Sequence, residues 1–514
     1  MFFSLLFKEI RFHLLTFRFA AALITTLTLV LLSMWVLGDD YIRRRNTYNL
    51  SVETTARQIE EVYVPSQISP TLHRPPSALS IFAQGEDRRF GNTLQVRRWE
   101  VPRRAEGSFT DNMLMAAMPA LDLYTIFAVV LSLFGILFTY DAVCGERENG
   151  TLKLQCSGGA SRGAIFAAKF FGALACLAIP ILFSLLGGFL LLTFFFSLTF
   201  TAEQWLAVSA MVGAGLIYCA LFIAVGLACS ALVRRSSVAL ILALLVWTLA
   251  VLVLPSASKS AADVLHPLPS PAEVSNFEKV SEREVVEQAS EFAKEYPGYN
   301  SGWWTSNFGL PGNGDFLKYD GREEWFRHAI AYVRFIEPVM QGRADRIWDV
   351  YGRHDKEMEN QASAFGLLAM LSPTIHLREA FTGLANTDYN DYYRFVDSAR
   401  RFRRQMIDEF ARKGFFSDKA LAFFTRRKPA EILQAEWEKR YEYYRQRLEA
   451  GATYDDIIGP QFWGPLSPEQ MPRFTPAIDH PDFELGVNHS CVLGAVLAIV
   501  FAAGVVAFLR YDVR

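Results

Sequence analysis

The chain is poor in several things, and each absence narrows what it can be. It contains no phosphate-cradling pattern G-x-x-x-x-G-K-[ST]: Gly158-Gly159 and Gly163 lack the following Lys-Ser or Lys-Thr. It should therefore not bind and hydrolyse ATP by that route. Cysteine is scarce, six in 514 residues. Cys144 and Cys156 lie in one short polar stretch, and Cys176, Cys219, Cys229 and Cys491 lie in apolar runs. The two large polar regions have none, so disulfides cannot staple them. The pattern H-E-x-x-H is missing. His354 with Asp355 and Glu357, and His376 with Glu379, are read as ordinary residues of exposed helices, with no metal site. A net charge of −2 gives no reason to expect a nucleic-acid partner.

What the chain has is apolar length. Hydrophobic residues make up 51% of it, with 42 Phe. They cluster into runs free of Asp, Glu, Lys, Arg and His that reach the roughly 18 residues needed to cross a bilayer. Residues 1–18 carry Phe2, Phe3, Leu6, Ile10, Leu14 and Phe17 at helical spacing, with Lys8, Glu9, Arg11 and Arg18 between them, which predicts an interfacial helix. Spans are expected at 19–37, 123–140, 170–202, 204–233, 236–258 and 490–509. The first has no small-x-small cleavage site and is read as an uncleaved anchor. Residues 170–202 exceed one span, and Pro180 with Gly187-Gly188 leaves two forms open, one bent helix or a span plus a re-entrant end. Ion-coupled carriers need intramembrane ionisable groups, so charge-free spans point to an external energy source.

Two polar regions separate the spans. Residues 38–122 are expected to hold an amphipathic helix at 51–63, prolines, and β-like alternation at 92–101. Residues 259–489 read as helices: 271–296, 323–358 bent at Pro338, one opened by Ser372 as cap with Pro373, 387–413, and 429–450. Phe395, Phe402, Met406 and Phe410 recur at helical spacing, which suggests a small helical domain with its own core. Trp303, Trp304 and Phe308 fit an aromatic membrane anchor or loop-covered core equally well. Arg400, Arg401, Arg403 and Arg404 are read as a solvated helix face.

Basic residues near the spans vote on orientation. Lys8, Arg11 and Arg18 precede span 1; Lys153, Arg162 and Lys169 lie between spans 2 and 3. Arg234 and Arg235 separate spans 4 and 5, and Arg510 and Arg514 follow span 6. Six spans put all of these on one side, the cytoplasm, with both termini there and 38–122 and 259–489 outside. Arg43-Arg44-Arg45 objects, and a hairpin at 170–202 would move the insertion inside.

One stretch organises this layout. Residues 140–169 begin with Asp141, continue as Glu146-Arg147-Glu148-Asn149-Gly150-Thr151-Leu152, and pass through small residues to Arg162 and Lys169. This E-R-E-x-G-T-L segment between spans 2 and 3, with the interfacial helix and six spans, resembles the permease subunit of an ABC-2-type ATP-binding-cassette transporter. The stretches Leu371–Thr374 and Leu384–Asp388, and the terminal 508–514, are similar to a subgroup with a large extracytoplasmic insertion before the last span. The resemblance implies a mainly α, polytopic membrane protein of type V exporter-like form plus a mostly helical extracytoplasmic domain. It implies a coupling segment at Glu146, Arg147, Glu148, Gly150, Thr151, Leu152 and Leu154 that docks on a cytoplasmic ATPase subunit. Arg162, Lys169, Arg234 and Arg235 would be basic residues at the membrane edge. ATP and Mg would belong to that partner, with no cofactor in this chain. A second permease copy or a related permease, membrane lipid and an extracytoplasmic accessory protein are the further partners implied, and the bacterial inner membrane the place. On chemistry alone, Glu146 and Glu148 are expected to pair with basic groups on the partner and Leu152 and Leu154 to fill an apolar cleft. Gly150 is expected to turn the chain with a positive φ. The rival function is a membrane-anchored ligand-binding or signalling protein; a membrane hydrolase finds no nucleophile–base constellation to support it.

Overall fold

The structure is a computed structural model that describes residues 2–61, 69–85, 92–97, 121–152, 161–267, 271–295, 338–350, 372–412 and 480–510, with short or single positions between them. Among the described residues, six helices are long and apolar enough to cross a membrane: Phe17–Thr55, Leu123–Glu148, Arg162–Phe196, Ala202–Leu232, Ser236–Leu265 and Phe483–Leu509, spans 1 to 6 here. Long uncharged runs must satisfy every backbone N–H and C=O internally in lipid, which is why they are helices. Span 4 is central: 67% of its most apolar window is buried, against 17% in spans 5 and 6. Spans 3, 5 and 6 instead turn Phe183, Leu186, Ile241, Leu245, Ile499 and Val506 outward, as lipid-facing surfaces do.

Residues 170–202 resolve into one helix, Arg162–Phe196 with Pro180 inside it, ended by Ser197 in the left-handed conformation. The hairpin is thereby excluded. Span 1 continues as a single helix to Glu61, where a separate amphipathic helix at 51–63 was expected. One turn beyond the apolar run, Asp39 pairs with Arg43 at 2.9 Å and Asp40 with Arg44 at 2.8 Å, the i,i+4 spacing that supports a helix in water. Those pairs also offset most of the positive charge that argued against the orientation.

The alternation at 92–101 yields only a short strand. Strands β1 (Thr71–His73), β2 (Thr93–Gln95) and β3 (Arg103–Arg104) form an antiparallel sheet in the order β1-β2-β3 with Leu72 opposite Leu94. One face of this sheet, through Leu72, Leu94 and Val96, buries against Phe395, Val396, Ala399, Phe402 and Met406 of the helix Tyr389–Arg412. The insertion therefore shares this core with the first polar region. Its helix Pro271–Glu295 matches expectation and packs Val285 against Ile336 and Met340. Trp303, Trp304, Phe308, His354, Asp355 and most of 429–450 lie outside the described residues.

The helix Pro373–Ala385 departs furthest from a separate domain. Its Leu377, Phe381 and Leu384 belong to the same core as the spans, and it packs against spans 2, 4, 5 and 6. Ser372 does not cap it with its side chain; the Ser372 hydroxyl instead donates to Ala250 O at 2.9 Å. Tyr218 of span 4 bonds Thr374 at 2.9 Å and donates to Ala128 O at 3.1 Å. Ala128 and Ala250 lie in two wide π-type turns, Ile126–Leu131 and Leu249–Val253, of spans 2 and 5. Such turns loosen the carbonyl ladder, and here the loosened carbonyls receive the bonds that hold this helix. Against span 6 the fit is reciprocal. A Cβ on Gly383 would meet Leu485 at 2.7 Å, and one on Gly486 would meet Leu384 at 2.7 Å, so each glycine seats the other helix's leucine. Asn386 ends the helix with φ 55°, and Arg74 and Ser77 donate to the last carbonyls, Asn386 O and Ala385 O.

Candidate functional site

The last residues of span 2, with those that follow, fold as a short bracket. Residues 141–143 turn, Cys144–Glu148 form a helix, and Gly150 reverses the chain with φ +71°. This is the positive φ expected of it. A five-residue helix has no stability of its own, and its termini show what holds it. The first N–H groups of a helix have no intrahelical acceptor. Here the Ser230 hydroxyl of span 4 accepts from Val143 N at 3.0 Å and Cys144 N at 3.2 Å, so the cap comes from another helix. At the other terminus Glu148 accepts from Ser236 N at 3.0 Å and from the Ser236 hydroxyl at 2.6 Å. The bracket is thus capped by span 4 and itself caps the first turn of span 5, where a carboxylate also suits the helix dipole.

Two ion networks fasten it further. Lys169 of span 3 is 2% exposed, with Glu146 at 2.7 Å and Glu9 of the N-terminal helix Phe2–Leu14 at 3.2 Å. Gln155 donates to the same Glu146 oxygen at 2.6 Å. Beside this, Arg18 at the foot of span 1 grips Asp141 through both guanidinium nitrogens, at 2.9 and 2.7 Å, and also donates to Leu137 O and the Tyr140 hydroxyl. Bidentate pairing of this kind fixes geometry as well as charge. His13 packs on Phe138 at the same place. Burial, then the nearby Lys169, brings its imidazole down to about 4, so it stays neutral at ordinary pH. Five helices therefore meet on one short segment, and Arg162, donating to Leu509 O at 3.0 Å, brings the foot of span 6 to the same end of the bundle.

The residues singled out by sequence separate into two groups. Glu148, Asn149, Gly150 and Thr151 are exposed and form the outward tip. Glu146 and Leu152 face inward: Glu146 is committed to Lys169, and Leu152 is 1% exposed in the chain's own core, so neither is available to a partner. Glu148 is exposed, yet both its oxygens are engaged by Ser236. Arg147 lies between the two groups, half-buried, and Leu154 lies outside the described residues. Arg234 and Arg235 are exposed in the connection between spans 4 and 5, and Arg162 is half-buried, in keeping with an edge position. Lys169 is not at the edge. It is buried where the N-terminal helix and the bracket meet, because two carboxylates there make burial of the ammonium tolerable.

Sequence reasoning missed Glu9, Arg18, Asp141, Ser230 and Ser236 as working parts. Glu9 and His13 left a trace: with Phe2 and Leu6 they continue one helical stripe, so both polar residues stand on the buried face. No individually curated protein matches the chain. Residues 21–513 match the family described as ABC-2 family transporter protein, and the chain belongs to that family of ABC-transporter membrane components.

Proposed function

We propose that the chain is the permease subunit of an ATP-driven exporter or extractor, and that the tip Glu148–Thr151 is where a separate ATP-binding-cassette ATPase pushes. The observation that supports this is mechanical. The tip is exposed, while the segment carrying it is tied by caps and ion pairs to the N-terminal helix and spans 1, 3, 4 and 5. Force at the tip passes into those helices as rigid bodies, the way closure of two ATPase subunits would switch a pathway. Contact with the partner falls to Asn149, Gly150 and Thr151 with the backbone around them. Glu146, Glu148 and Leu152 keep the bracket in shape. The ATPase supplies the ATP and Mg chemistry, and its side is the cytoplasm, with both termini there and the insertion outside a bacterial inner membrane. A second copy or a related permease completes the pathway.

Gly150→Val tests this reading. Nothing lies within 4 Å of a Cβ at Gly150, but its φ of +71° is one that a β-branched residue resists. The variant should insert and fold, and should lose association with a cassette ATPase and stimulation of its hydrolysis. Undiminished association and turnover would count against docking at this tip.

A further inference from the structure

At the opposite end of the bundle, two imidazoles face each other. His376 of the helix Pro373–Ala385 is 5% exposed, and its Nδ1 lies 2.9 Å from Nδ1 of His489, in the second turn of span 6. The rings are tilted at 41° with centroids 5.2 Å apart. This contact sits one turn along span 6, and two turns along the helix Pro373–Ala385, from the Gly383–Leu485 and Gly486–Leu384 seats, on the same helix–helix interface. Two facing ring nitrogens at that distance make a hydrogen bond only when one carries a proton and the other does not. A first added proton that leaves one Nδ1 bare keeps the N–H···N bond and charges it. A second puts two N–H groups and two positive charges face to face, and the interface must part.

We propose that His376 and His489 form a proton-operated clasp that fixes the helix Pro373–Ala385 to span 6 and releases it when the insertion side of the membrane turns acid. Histidine is the side chain whose ordinary titration falls between pH 5 and 8. His489 is half-buried and gives protons a way in. The buried Arg74–Asp87 pair stands at the C-terminal end of the helix, and the turn Leu249–Val253 of span 5 contributes no titratable group. Arg378 and Glu379, on the helix itself, act on Tyr124 of span 2. Span 4 contributes Tyr218, held by Thr374 and Ala128 O. Asp482 at the head of span 6 caps Leu485 N, and Glu484 follows it. Asp122, ahead of span 2, holds Thr125 and Gln84 N. Release would free a helix that packs against spans 2, 4, 5 and 6, so the clasp would let external acidity loosen the outer end of the bundle while the bracket end stays tied.

Hydrogen exchange of the full chain in lipid nanodiscs reads the clasp directly. If opening lets the pair take up one more proton, exchange through opening of residues 374–385 should grow about tenfold per pH unit in the acid range, after correction for intrinsic rates. His489→Gln and His376→Gln keep a hydrogen-bonding side chain and remove the second titrating partner, so protection there should become independent of pH. A flat response in the native chain, or an acid response that survives in both variants, would overturn the proposal. If both variants fail to fold, ring nitrogen NMR of the native protein decides: two linked titrations support the clasp, and two independent ones refute it.

Discussion

The two ends of the bundle are both fastened by buried polar contacts, but with different chemistry. At the bracket end the fasteners are full charges: Lys169 between Glu9 and Glu146, and Arg18 on both oxygens of Asp141. At the insertion end the bonds from the helix Pro373–Ala385 to the spans run through hydroxyls, carbonyls and imidazoles, Tyr218 on Thr374, Ser372 on Ala250 O and His376 on His489, while the buried Arg74–Asp87 pair holds the far end of that helix through Asn386 O. Breaking a buried ion pair leaves an uncompensated charge, whereas losing a neutral hydrogen bond costs little. On the proposed function, the bracket end is the stiff input and the helix's contacts to the spans are the part able to yield.

The largest effect expected is at the stiff end. Lys169→Met removes the buried cation that Glu9 and Glu146 share, and should destabilise the protein by about 3–5 kcal/mol, read as thermal unfolding in detergent. Glu9→Gln should cost clearly less, since the shorter contact to Glu146 remains. Equal losses for the two would show that the ammonium is not the centre of the network. At the yielding end, Tyr218→Phe removes the hydroxyl shared by Thr374 and Ala128 O and should cost about 1 kcal/mol. Combined with Thr374→Val the losses should be less than additive, because both remove one bond. A Tyr218→Phe cost rivalling that of Lys169→Met would erase the contrast between the ends.

The spans were legible because charge-free length has one solution in lipid. Their ends were less so. Span 6 begins at Phe483, seven positions before the expected 490, because its cap Asp482 and the polar Glu484 and His489 resemble loop. That shift brings a histidine into a span thought to lack ionisable groups. The insertion's helices were visible from periodicity, but periodicity says that a helix has an apolar face and nothing of what covers it. Leu377, Phe381 and Leu384 were available for a domain core and went to the bundle. The bracket was legible as a motif, and its turn at Gly150 came out as expected. The roles of its carboxylates did not. Lys169 and Glu9 are 160 positions apart, and no local pattern links them. Charge reversal at Glu146 would set a cation against buried Lys169.

Docking at the exposed tip is open to a direct cross-linking measurement. A single cysteine at Thr151, in a chain with its native six replaced, should join to a co-purified cassette ATPase through a short thiol-directed cross-linker. A cysteine at exposed Glu484, at the far end of the bundle, should not. Cross-linking from position 484 and none from 151, with the complex intact, would place the ATPase at the wrong end and contradict the account.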